Sequence, residues 1–127
     1  MGIGRVLLLA AVVAGGLVAL VVTIAVSSGG RSAHVEARNG QTIQLTPAET
    51  HGRELFAARC SGCHTLRAVH GVAQVGPSLD FLRPPAAVVR RRIHEGSQAS
   101  NAVMPAEIFT GSEADDVAAF VARVAGR

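Results

Sequence analysis

Cys60-Ser61-Gly62-Cys63-His64 contains both cysteines of the chain. Cysteines three apart fall on the same side of a helical turn. Two thiols so placed can form thioethers with the two vinyl groups along one edge of a haem. The adjoining His64 can then turn its imidazole onto the iron from one face, and a Cys-x-x-Cys-His run reads as a site of covalent haem attachment. Three plainer readings compete. A redox dithiol uses Cys-x-x-Cys too, but in a βαβ context that the flanking sequence lacks. A structural zinc site needs two more ligands, and beyond His70 no strong fourth follows. A plain disulfide leaves His64 without a purpose.

The composition agrees with a cofactor-filled core. The 127 residues include no Trp, no Tyr and four Phe, so a folded unit has few bulky side chains with which to fill its interior. Small domains in that position borrow stability from a metal, a disulfide or a cofactor. All twelve basic residues are Arg; setting aside Arg5 in the amino-terminal tail leaves eleven against nine acids, a formal +2. That excess is too small and too scattered to argue for a nucleic-acid partner, and none is expected.

Upstream of the motif, Val6 to Val26 is an uncharged stretch of Val, Leu and Ala. As a helix it would be about 32 Å long, enough for a hydrocarbon core of about 30 Å. It is longer than the apolar region of a signal peptide, although Ala25-Val26-Ser27 resembles a cleavage site. The reading adopted is a single membrane anchor over residues 1–27. Residues 28–46 then read as a flexible linker, in which Asn39-Gly40 between short alternating runs is a weak hairpin signal.

Residues 47–127 read as the folded domain. Thr46-Pro47-Ala48-Glu49 has the form of a capping box with Pro at the first helical position. It predicts a helix to about Arg59 with Gly52, Leu55, Phe56 and Arg59 on one side. Gly71, Gly76 and Pro77 break the pattern from Thr65 to Arg83. Pro84-Pro85 opens another helix, with Val88, Val89 and Ile93 apolar, Arg90, Arg91 and Arg92 exposed, and Gly96 as terminator. Ser97 to Ile108 reads as loop. Thr110-Gly111-Ser112-Glu113 predicts a second capping box and a last helix whose buried stripe is Val117, Phe120, Val121 and Val124.

Met1 and Met104 are the only methionines. A thioether is a soft ligand that suits haem iron opposite an imidazole, and Pro105 stiffens the loop that would present Met104. A lone Met is otherwise core filler. His34 and His51 read as solvent-facing; His70 and His94 are weaker rivals for the sixth position.

With these pieces in order, the chain resembles a class I c-type cytochrome, anchored by an amino-terminal helix. The matching segments are Gly52-Arg-Glu-Leu-Phe56, Cys60-Ser-Gly-Cys63-His64, Gly76-Pro77-Ser-Leu79, Ile93-His-Glu-Gly96, Ala102-Val-Met104-Pro105 and Asp116-Val-Ala-Ala-Phe120-Val. The resemblance implies an all-α fold of three main helices around one covalently bound haem c, with a transmembrane helix before it. It implies a crossing of first and last helices where Gly52 and Phe56 meet Phe120. It also implies that Pro77 accepts a hydrogen bond from His64, and that Leu79, Phe81 and Ile93 line the pocket. With Trp and Tyr absent, haem propionates would be held by Arg, Gln, Ser or backbone; Arg59, Arg67 and Gln98 are the candidates.

The function so implied is single-electron transfer rather than enzymatic catalysis, with His64 and Met104 closing the iron and no small-molecule substrate. Haem of this type is attached on the outer side of the energy-coupling membrane, which places residues after 27 in the periplasm. Redox proteins are the expected partners, a quinol-oxidising complex and a terminal oxidase being the generic ones, and residues 6–26 would lie in the lipid. The alternatives are a haem-based gas or redox sensor with an open sixth position, and a haem subunit of a larger oxidase or dehydrogenase.

Overall fold

The capping box at Thr46 forms as the sequence predicts. Thr46 Oγ1 accepts from the Glu49 N–H at 3.2 Å and Glu49 Oε2 accepts from the Thr46 N–H at 2.8 Å. Helix α1 runs over Pro47–Arg59. The computed structural model describes residues 33–99 and 102–127. The stretch 6–26, with its reading as a membrane anchor, lies outside them. Among the described residues no helix is long and apolar enough to cross a membrane.

Three further helices follow: α2 (Leu79–Leu82), α3 (Ala86–Glu95) and α4 (Gly111–Val124). Helix α4 starts at the predicted Thr110, but its hydroxyl makes no capping hydrogen bond. The second capping box is therefore a start signal without the reciprocal bonds. Gly111, just after Thr110, has φ of 55°. Helix α3 begins after Pro85 and stops at Gly96, whose φ of 68° suits glycine.

The all-α expectation is corrected by three short antiparallel pairs. β1 (His34–Glu36) pairs with β2 (Thr42–Gln44), β3 (Thr65–Leu66) with β4 (Gly71–Val72), and β5 (Ser97–Ala99) with β6 (Ala102–Met104). Strands of two or three residues are too short to show a period in the sequence. The first pair also corrects the linker reading for residues 33–45. Val35 opposes Ile43, Val35 and Leu45 are buried in the core, and Gly40 turns the chain at φ 75°. Side-chain bonds around Asn39 brace the turn. Burial of two apolar residues is what a free tether would forgo.

The core is built where α1 crosses α4. Gly52 has no side chain to hold the helices apart, since a Cβ there would meet the Asp116 carbonyl and come within 2.9 Å of the Val117 nitrogen. Phe56 and Phe120 then meet edge to face, with centroids 6.2 Å apart and planes at 61°. Val117, Phe120, Val121 and Val124 are all buried, so the stripe reads as predicted.

At the rim of this crossing, His51 Nδ1 lies 2.8 Å from Asp116 Oδ2. The hydrogen bond to Asp116 raises the His51 pKa above its ordinary value; desolvation opposes it, and the charges of Asp116, Glu113 and Glu54 add to the rise. A group whose folded pKa is raised adds stability fully below its unfolded pKa, about 6.5, and loses it as pH rises through the folded value. The stability advantage of the wild type over His51→Gln is therefore expected at pH 5.5 and should shrink by pH 9, read from melting temperatures. The imidazole titration midpoint of His51 should also fall in Asp116→Asn.

Candidate functional site

A cavity of about 940 Å³ opens between the end of α1, helices α2 and α3, and the segment from β6 to residue 108. That volume lies at the upper end for cofactor and small-molecule sites. Cys60, Cys63, His64 and Met104 all line it, together with Pro77, Leu79 and Ile93. The structure thus brings together residues spread over 45 positions of sequence, from Cys60 to Met104. Phe81 is the exception among the predicted pocket residues. It is 86% exposed and is not part of the lining. Leu79 and Leu82, three apart on α2, share the face that meets the cavity instead.

The motif itself is a tight turn off the end of α1. The Cys63 and His64 N–H groups both donate to the Cys60 carbonyl, at 3.0 and 2.9 Å. Cys60 is buried and Cys63 exposed, and no disulfide joins them. Burial pushes the Cys60 thiol up to about 11, with the neighbouring Cys63 adding to the rise. A redox dithiol runs the other way, with an attacking cysteine of lowered pKa. The zinc reading also loses its footing: among the described residues no three His, Cys, Asp or Glu side chains are grouped to hold a metal ion.

His64 Nδ1 lies 2.9 Å from the Pro77 carbonyl oxygen. A carbonyl only accepts, so Nδ1 carries the proton and Nε2 is the nitrogen available as a ligand. The ring is set by shape as well. A Cβ on Gly76 would stand 2.6 Å from His64 Cε1 and 2.8 Å from Nδ1, and the Gly76 N–H donates to the Cys63 carbonyl at 2.7 Å. Only glycine leaves the imidazole that place. On the far wall, a Cβ on Gly96 would stand 2.6 Å from the Met104 carbonyl oxygen, so glycine again lets the methionine loop close over α3. The loop is also tied by the Glu107 N–H to the His94 carbonyl at 3.3 Å and by a His94–Glu107 side-chain contact at 3.4 Å. That contact points His94 away from any ligand role.

Two thiols, one imidazole nitrogen and one thioether sulfur lining one cavity are a donor set that fits a covalently held haem. Of the candidate propionate partners, Arg59 lines the cavity. Arg67 and Gln98 do not, and the Arg67 guanidinium instead donates to the Arg127 carbonyl. Arg92 and Ser97 line the cavity and were not singled out. The signal for Arg92 was available, since it lies three and four residues from Val89 and Val88, on the same face of α3.

A helical shell that gathers this donor set around one apolar cavity is that of a c-type cytochrome domain. Residues 47–121 match the family described as cytochrome c oxidase, cbb3-type, subunit III, and the chain belongs to that family. The crystal structure of the c-type cytochrome SorU from Sinorhizobium meliloti is similar, with 39% identity and a TM-score of 0.57, over 63% of this chain and 93% of that one. Among curated proteins no sequence matches.

Proposed function

We propose that the protein is a single-electron carrier holding one haem c, with His64 and Met104 as axial ligands. The observation that carries this reading is the convergence of Cys60, Cys63, His64 and Met104 on one cavity, with the second nitrogen of His64 already committed to Pro77. When bound, the haem supplies an iron that alternates between ferric and ferrous. Cys60 and Cys63 would hold it through thioethers, His64 and Met104 would supply its iron ligands, and Arg59 and Arg92, which line the same cavity, would pair with its carboxylates. With both ligands in place no position would be left for a substrate, so this reading takes electron transfer over catalysis and over a sensor. Val75, Leu82 and Val103 form an exposed apolar collar at the cavity, suited to brief docking of a redox partner. In this reading residues 6–26 anchor the domain in the cell membrane with the haem on the periplasmic side. Such an anchor would keep the haem concentrated near a quinol-oxidising complex or a terminal oxidase.

The visible spectrum, oxidised and reduced, tests the site. A low-spin c-type spectrum indifferent to carbon monoxide is expected; prompt carbon monoxide binding would favour the sensor. Met104→Ala should open the sixth position, admit carbon monoxide and lower the reduction potential. An unchanged potential would assign the ligand elsewhere. The family match favours one other arrangement, a fixed subunit of a larger oxidase. Co-purification of further haem subunits in mild detergent would select it over a free shuttle.

A further inference from the structure

Two segments of the cavity wall are joined at the same sequence offset. His64 donates through Nδ1 to the Pro77 carbonyl at 2.9 Å, and three residues further along each segment the Arg67 N–H donates to Asp80 Oδ2 at 2.8 Å. The other oxygen of that carboxylate, Oδ1, accepts the Gly126 N–H at 2.9 Å, just beyond α4. Gly126 sits at φ 74°, and a Cβ there would stand 2.8 Å from the Asp80 carbonyl oxygen. Asp80, half-buried, therefore ties the loop after His64, the helix after Pro77 and the end of α4 to one point. Hydrogen bonds to a carboxylate are about twice as strong as neutral ones. Helix α2, by contrast, is four residues long and far too short to hold itself.

We propose that Asp80 positions the Pro77 carbonyl and thereby sets the strength of its hydrogen bond with His64. This rests on the haem reading above. A stronger Nδ1–H···O bond makes the imidazole a more basic ligand, and a more basic ligand favours the ferric state. Asp80 is thus a positioning residue that tunes the potential through the backbone of α2, without touching the cavity itself.

The test uses the full-length holoprotein with Asp80→Asn, Asp80→Ala and Arg67→Ala. Asn keeps one acceptor oxygen but turns an NH2 group toward the second donor, so it loses part of the tie; Ala loses all of it. The His64 Nδ1 proton should exchange faster than in the wild type, by the larger factor in the Ala variant, because its hydrogen bond to the Pro77 carbonyl is weakened. The reduction potential should shift positively in the order Ala, then Asn. Arg67→Ala keeps the backbone N–H and removes only the guanidinium contact with Arg127. It should lower the melting temperature and leave the potential in place. If the Asp80 variants lose stability while exchange and potential stay fixed, Asp80 is only a structural cap and the proposal is overturned. If Asp80→Ala fails to fold, Asp80→Asn decides. A wild type without covalent haem would sink the underlying reading before any variant is compared.

Discussion

Gly52→Ala is expected to lower the melting temperature by about 8–16 °C. The new methyl would fall on the Asp116 carbonyl, with the Val117 nitrogen 2.9 Å away. Overpacking costs about 1–3 kcal/mol where side chains can shift. Here the obstacle is backbone, which places the strain near the top of that range. Alanine returns up to about 1 kcal/mol of helix propensity, leaving a net loss of about 2 kcal/mol. At about 4–8 °C per kcal/mol for a domain of this size, the shift follows. Separation of α1 from α4 would also loosen the Phe56–Phe120 contact. Gly62→Ala is the control, because nothing lies within 4 Å of a Cβ there, and its stability should stay within about 0.5 kcal/mol of the wild type. Equal melting curves for Gly52→Ala and wild type would mean that the crossing is not held by close approach.

That crossing shows what was legible in the chain. Helix starts are local events, and Thr46, Pro47 and Glu49 carry all the groups the first turn of α1 needs. The stripe on α4 repeats over enough turns for its period to fix which face is inside. The apolar residues of α2 offer no such period. Leu79, Phe81 and Leu82 are all candidates for burial within a single turn, and only the placement of α2 sends Leu79 and Leu82 to the cavity and Phe81 to solvent. The ties at Asp80 and Glu107 were equally hidden, because each joins residues 13 or more apart through a backbone N–H that no sequence pattern marks. The motif Cys60 to His64 was the opposite case. Its chemistry depends on spacing along the chain, so the four-residue reach from first thiol to imidazole was readable at once. Its partner Pro77 followed from resemblance alone, and the geometry of Gly76 gives the physical reason for it.

The largest expected effect belongs to Cys60→Ser with Cys63→Ser, which should abolish covalent haem altogether. A thioether is the only bond in the site that survives denaturation, so the full-length protein should lose haem staining on a denaturing gel. The single variants are not equivalent. Cys63 is exposed and Cys60 is 8% exposed inside the core cluster, so Ser at 63 leaves the interior as it was. Ser at 60 adds a hydroxyl to an apolar surrounding at a cost of about 1–3 kcal/mol unless it finds a partner. Each single variant retains one thiol for a thioether. Melting temperatures should therefore fall in the order wild type, Cys63→Ser, Cys60→Ser, double variant. The double variant also forfeits the stabilisation that a tightly held ligand confers on the folded state, in a domain with no Trp or Tyr to fill the space. Haem staining that persists in the double variant would overturn the reading of Cys60-Ser61-Gly62-Cys63-His64 as an attachment site, and with it the function proposed for the chain.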